Sequence, residues 1–164
     1  MITNRPRRLE GVSYVGLHRY FVTTCTAYRR PIFSESLVAK EVDERILQVS
    51  REFEFAIAAY CFMPDHLHLL VMAQSEQSDL PRFMKQAKQV TGFDYRRQHR
   101  KPLWQPGYHD RILRDDEATL AVVRYILENP IRAGLAKELG EWPSAGSHVY
   151  TWAQLLSAWD DQQT

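Results

Sequence analysis

A chain of 164 residues, 45% hydrophobic and 25% charged, is expected to fold as one globular domain around one core. Its formal net charge of +1 conceals two basic stretches: six Arg against one Glu over residues 1–30, and seven Lys or Arg against one Asp over residues 82–101. No apolar run approaches the roughly 18 residues of a membrane-spanning helix, and the two cysteines, Cys25 and Cys61, lack the CxxC spacing of a zinc ribbon or dithiol redox motif.

Residues 1–8 are polar and basic with no apolar segment behind them, so a secretory leader is not expected and a cytoplasmic location is the default. Residues 18–26 (HRYFVTTCT) are aromatic and β-branched and read as a strand. After a connection over 28–33, Ser34 is placed to cap a helix running to about residue 51, with Leu37, Val38, Val42, Ile46, Leu47 and Val49 at helical spacing. Residues 53–63 form a second strand, Pro64-Asp65 a tight turn, and residues 66–73 a third strand, so the two pair as a hairpin. Both cysteines fall in such strand-like segments and read as buried thiols. Following a polar loop over 74–79, Asp79 caps a helix with Pro81 in its first turn, reaching about residue 98. Residues 100–106 are irregular, 108–114 suggest a fourth strand, and Asp115-Asp116 lead into a helix over about 117–132, closed by Gly134. A loop with Trp142-Pro143-Ser144 and a short helix near 151–159 complete the chain. The order describes an α+β sandwich, with helices on an antiparallel sheet. One domain over residues 1–164 is expected, with a basic N-terminal segment at 1–17 and a tail at 138–164.

Three constellations carry possible chemistry. In His66-Leu67-His68, residues i and i+2 of a strand project to one face, about 6–7 Å apart along the chain. Two imidazoles so placed can share a metal ion, although a histidine pair of this spacing alone is also compatible with one core and one surface residue. In the helix over 117–132, Leu120, Val122, Val123, Ile126, Leu127 and Ile131 form an apolar face. Tyr125 and Asn129, four apart, stack at its edge; alone, they are an ordinary boundary tyrosine and a helix-end asparagine before Pro130. Finally, Tyr95 to Lys101, followed by Trp104 and Tyr108, interleaves aromatic and basic side chains that suit base stacking and phosphate contact, or equally a solvated helix end followed by core aromatics.

Taken together, the segments RYFVTT (19–24), RPIF (30–33), YCFMPDHLHLLV (60–71), LWQPG (103–107), YILENP (125–130) and WPS (142–144) resemble the single-tyrosine HUH transposases, named for their His-hydrophobe-His triplet. Within that class the Asn-Pro after the tyrosine and the later Trp-Pro-Ser resemble the REP-associated tyrosine transposases. The resemblance implies a ferredoxin-like α+β sandwich, with Tyr125 as nucleophile and His66, His68 and Asn129 as ligands of Mg²⁺ or Mn²⁺. Many relatives carry glutamine where this chain has Asn129. The implied reaction is cleavage and joining of single-stranded DNA, near a hairpin, through a 5′-phosphotyrosine link. An ordinary phenol titrates near pH 10, roughly, so the nucleophile needs activation, and no base is evident in the sequence.

Charge and position assign DNA contacts to Arg5, Arg7 and Arg8 at the hairpin foot. Lys85, Lys88, Arg96, Arg97, Arg100, Lys101 and Trp104 are assigned to the strand. A monomer or a homodimer, with no membrane partner, is expected. Two other readings stand beside this one: a domesticated DNA-binding protein without catalysis, and a metal-dependent phosphoesterase that activates water and would not need Tyr125.

Overall fold

The computed structural model describes residues 15–114 and 117–161. Five strands form one antiparallel sheet in the order β4-β1-β3-β2-β5: β1 (Arg19–Cys25), β2 (Phe55–Met63), β3 (His66–Ala73), β4 (His109–Ile112) and β5 (Ala145–Gly146). With α1 (Ser36–Glu52) between β1 and β2, and α2 (Leu80–His99) between β3 and β4, the first six elements run βαββαβ. This is the ferredoxin-like arrangement. β3, the middle strand, pairs with β1 on one side and β2 on the other.

Each face of the sheet carries its own core. On one face, Leu67, Leu69 and Val71 of β3 meet Val42, Ile46 and Val49 of α1 and Phe83, Met84 and Ala87 of α2. Burial of each large side chain there stabilises the fold by about 1.5–3 kcal/mol. On the other face, Leu70 of β3 and Cys61 and Met63 of β2 meet α3 (Thr119–Leu127) and α5 (Trp152–Asp160), through Val123, Ile126, Leu127, Leu155 and Trp159. His66 and His68 alternate with Leu67 and Leu69 and therefore lie on this second face. The tail is fixed along β2: Phe62 N–H donates to the Ser144 carbonyl at 2.8 Å, and Trp142 Nε1 donates to the Phe62 carbonyl at 2.9 Å.

Asp79 caps α2 as expected, its carboxylate accepting from Arg82 N–H at 3.1 Å. Two expectations are corrected. Ser34 does not cap α1. It ends a single 3-10 turn over Ile32–Ser34, and Glu35 holds the cap position. The reason is Phe33, fully buried against Phe62 and Trp104, which draws the segment after Pro31 into a tight turn. The expected helix over 117–132 is two helices, α3 and a short α4 (Asn129–Arg132), with Glu128 between them. Pro130 lacks the N–H that would bond Ile126, and its ring disfavours helical geometry at the residue before it. The basic residues Arg5, Arg7 and Arg8 lie outside the described residues. Among the described residues, no helix is long and apolar enough to cross a membrane.

Candidate active site

The turn at Pro64-Asp65 starts β3 directly at His66, and the strand alternation brings His68 onto the same face. Their Nε2 atoms are 3.1 Å apart. Each opposite ring nitrogen is held by a different element. His66 Nδ1 is 2.7 Å from the Asp65 carboxylate, and His68 Nδ1 is 2.8 Å from the Thr23 hydroxyl on β1. Thr23 stands directly across from His68 in the β1–β3 register.

The protons of this chain of contacts can be assigned. A carboxylate only accepts, so His66 Nδ1 carries the proton and its Nε2 presents a lone pair. His68 then donates from Nε2 to His66, with the Thr23 hydroxyl donating to Nδ1. Alternatively, His68 turns its own lone pair inward, and Thr23 accepts from Nδ1–H. A hydroxyl serves either tautomer. In the second state two lone pairs face one point, the state a cation requires. Nε2 atoms 3.1 Å apart are close enough for both to bind one divalent cation. The histidine pair therefore fits a divalent cation, and Asp65 and Thr23 are its orienting partners.

Electrostatics keeps the His68 ring neutral in either tautomer. Burial, the His66 charge and the Arg132 charge together push the His68 imidazole down to about 4, so it is neutral at physiological pH. Burial disfavours the charged form of Asp65. The hydrogen bond from His66 and the charge and hydrogen bond of Arg29, 2.9 Å away, outweigh it and hold the carboxyl below its ordinary value. Among the described residues, no three His, Cys, Asp or Glu side chains form a group able to hold a metal. Cys61, opposite His68 on β2, is no thiolate: burial pushes it up to about 12. A third protein ligand would need another side-chain type, such as the half-buried amide of Asn129 at the start of α4.

Tyr125 lies on α3, 53% exposed although the helix faces the core. Its ring meets Phe21 of β1 edge-on at 6.1 Å, and Phe21 in turn contacts His68 at 5.4 Å. Tyrosine and histidine pair thus flank one phenylalanine on the same face of the sheet. α3 is fixed to β1 at its entrance by Arg19, whose guanidinium donates to the carbonyls of Arg114 and Glu117, both at 2.8 Å, and to the Thr119 hydroxyl at 2.5 Å.

The expected DNA-contacting residues do not all gather. Lys85, Lys88, Arg96 and Trp104 line a groove of about 910 Å³ between α2 and the segment leading to β4. Lys88 Nζ, however, donates to the carbonyls of Gln105 and Gly107 and so holds that segment down. Trp104 donates to Thr91 at 2.9 Å and packs on Phe33, an internal role. Arg97 lines a different hollow, beside α1. Arg100 and Lys101 are exposed just past the C-terminal end of α2, where Arg100 takes a left-handed conformation. Sequence reasoning missed three site residues: Asp65, read only as a turn former, Thr23, and Arg132.

A family profile described as "Transposase IS200 like" matches residues 14–129, a span that contains both histidines and Tyr125. The chain belongs to this family. It is similar to a protein of Haemophilus influenzae named as a REP-associated tyrosine transposase, 26% identical over 112 residues, covering 62% of this chain and 64% of that one. It is also similar to a REP-associated tyrosine transposase of Escherichia coli K12, 27% identical over 107 residues, covering 63% and 61%. The chain thus spans a little under two thirds of the length of the curated relatives it matches. Two solved structures share the fold. One is a REP-associated tyrosine transposase bound to a REP hairpin (TM-score 0.69, 21% identity, 85% of this chain and 82% of that one). The other is a protein of Deinococcus radiodurans described as a transposase (TM-score 0.52, 24% identity, 74% and 97%).

Proposed function

We propose that this IS200-like family member is a REP-associated type of tyrosine transposase that cleaves and rejoins single-stranded DNA beside a hairpin. Tyr125 is the nucleophile, and His66, His68 and Asn129 hold Mg²⁺ or Mn²⁺. The observation that carries this reading is the convergence of the two Nε2 atoms, each ring held from behind by Asp65 or Thr23, beside an exposed tyrosine one phenylalanine away. A water-activating phosphoesterase has no use for that tyrosine. The family match and the relatives' names support the same reading, and a solved relative bound to a REP hairpin supports the choice of substrate.

The Tyr125 oxygen, having lost its proton, attacks the phosphorus. The new O–P bond forms as the P–O3′ bond breaks, and the 3′ oxygen leaves and takes up a proton. A 5′-phosphotyrosine remains, and attack by a 3′-hydroxyl reverses the step without external energy. Phe21 and Arg132, at the end of α4, contact the tyrosine at the edge of the site. His66 and His68, with Asn129, would hold the divalent cation, which would supply charge withdrawal from a non-bridging phosphate oxygen.

The test is to incubate the protein and Mn²⁺ with single-stranded oligonucleotides carrying hairpin repeats from the source genome, then map any covalent adduct by peptide sequencing. The expected adduct is on Tyr125. It disappears in Tyr125→Phe and in His66→Ala, while both variants still bind the hairpin. DNA on another tyrosine, or cleavage that survives Tyr125→Phe, refutes the assignment.

A further inference from the structure

At the break between α3 and α4, the Tyr125 carbonyl accepts a hydrogen bond from the Arg132 guanidinium. The same guanidinium lies over the Tyr125 ring, its central carbon 4.2 Å from the ring centroid. Its remaining contact is loose: Glu128 Oε2 is 3.6 Å away, too far for a hydrogen bond. The other oxygen of Glu128 is bonded by Arg124 at 2.8 Å. A guanidinium has five N–H donors, so most of those of Arg132 have no hydrogen-bond partner among the described residues. The group is also exposed to solvent.

Arg132 therefore borders Tyr125, the group that a scissile phosphate has to approach. An attacking oxygen needs the phosphorus within about 3–3.5 Å, and a cation seated 4.2 Å over the same ring is within a side chain's reach of that phosphate. Arginine suits the task, because its planar fork matches phosphate oxygens and its flat face covers an aromatic ring at the same time. The proline break makes this possible. It leaves the end of α3 open and lets a residue seven positions on fold back over Tyr125.

We infer that Arg132 is a phosphate-binding catalytic residue of this site, seated on the nucleophile's ring and neutralising charge on the scissile phosphate as the phosphotyrosine bond forms. The inference rests on Tyr125 being the nucleophile.

Its test uses the oligonucleotide that yields the Tyr125 adduct, made with either a normal or a methylphosphonate linkage at the cleaved position. The methyl group removes the phosphate's negative charge. Adduct formation is followed under single-turnover conditions with wild type, Arg132→Met and Arg132→Lys. On the normal phosphate, Arg132→Met at saturation should be slower by about 10²–10³-fold, the usual loss of one charge-stabilising donor, with little change in the half-saturating concentration. Arg132→Lys should recover part of that loss. On the methylphosphonate, wild type and Arg132→Met should react at similar rates. An equal defect on both linkages would assign Arg132 a structural role and overturn the proposal, as would a defect confined to half-saturation. Absence of a Tyr125 adduct in wild type would sink the nucleophile assignment first, and this inference with it.

Discussion

Replacing Thr23 by valine removes one hydroxyl and little else, since valine keeps the β-branched shape that suits a strand. The hydroxyl is half-buried and 2.8 Å from His68 Nδ1. Its loss costs the fold about 1 kcal/mol, the ordinary net value of one hydrogen bond. The effect on metal should be larger. With the metal-ready tautomer, Nδ1–H donates to Thr23; in the valine variant that proton faces a methyl group, and the ring loses the partner that orients it. Loss of such an outer partner lowers metal affinity by about 10–100-fold, or about 1.4–2.7 kcal/mol. Mn²⁺ titration of the DNA-free protein, read by electron paramagnetic resonance of the free ion, measures this directly. Thr23→Ser should restore affinity to within a few-fold. If Thr23→Val binds Mn²⁺ as tightly as wild type, the outer partner of His68 is irrelevant and the proposed ligand geometry is wrong.

Three further outcomes are expected. The folded-state pKa of His68 is lowered to about 4 from 6.5. As pH falls, the unfolded chain therefore takes up a proton before the folded one, and stability drops between about pH 6.5 and 4 by about 3 kcal/mol; urea melts of metal-free wild type should show this loss and those of His68→Gln should not. In Gly146→Ala, the added Cβ would sit 2.9 Å from the Tyr60 hydroxyl and 3.2 Å from its ring carbon. Urea melts should report a destabilisation of about 1–3 kcal/mol, partly relieved by Tyr60→Phe; no loss would mean that β5 shifts freely. Deleting residues 1–8 should weaken hairpin binding and flatten its dependence on salt, because phosphate contacts release counterions; an unchanged slope removes those arginines from the binding surface.

Period-two patterning made His66 and His68 legible as neighbours on one face, and the apolar residues between them anchor the strand as the alternation requires. The ferredoxin-like order followed from the element sequence and the resemblance. Asp65 was visible beside His66, but its turn-forming role hid its second one. Thr23 could not be found from local sequence, because its partner is 45 residues away and depends on which strand β1 pairs with. Pro130 was a readable breaker of the last long helix, and ignoring it concealed Arg132 as well. The two-residue β5 is too short to leave a pattern. Lys88 and Trp104, expected from composition to contact DNA, line the groove and also fasten the segment before β4, a role that local sequence did not reveal.

Strand β1 contributes no expected ligand and no nucleophile, yet alternate residues along it govern the whole site. Arg19 fastens the entrance of α3, Phe21 touches the Tyr125 ring, and Thr23 bonds His68. The strand is in effect a ruler with marks every second residue, and the spacing of Tyr125 and the histidines is read off it. Its other face, Tyr20 and Val22, is buried in the opposite core. A one-residue slip would exchange the two sets, so the packing that excludes water from one face also forbids misalignment of the other. Selection for a stable sheet and for a correctly spaced reaction centre therefore falls on the same seven residues.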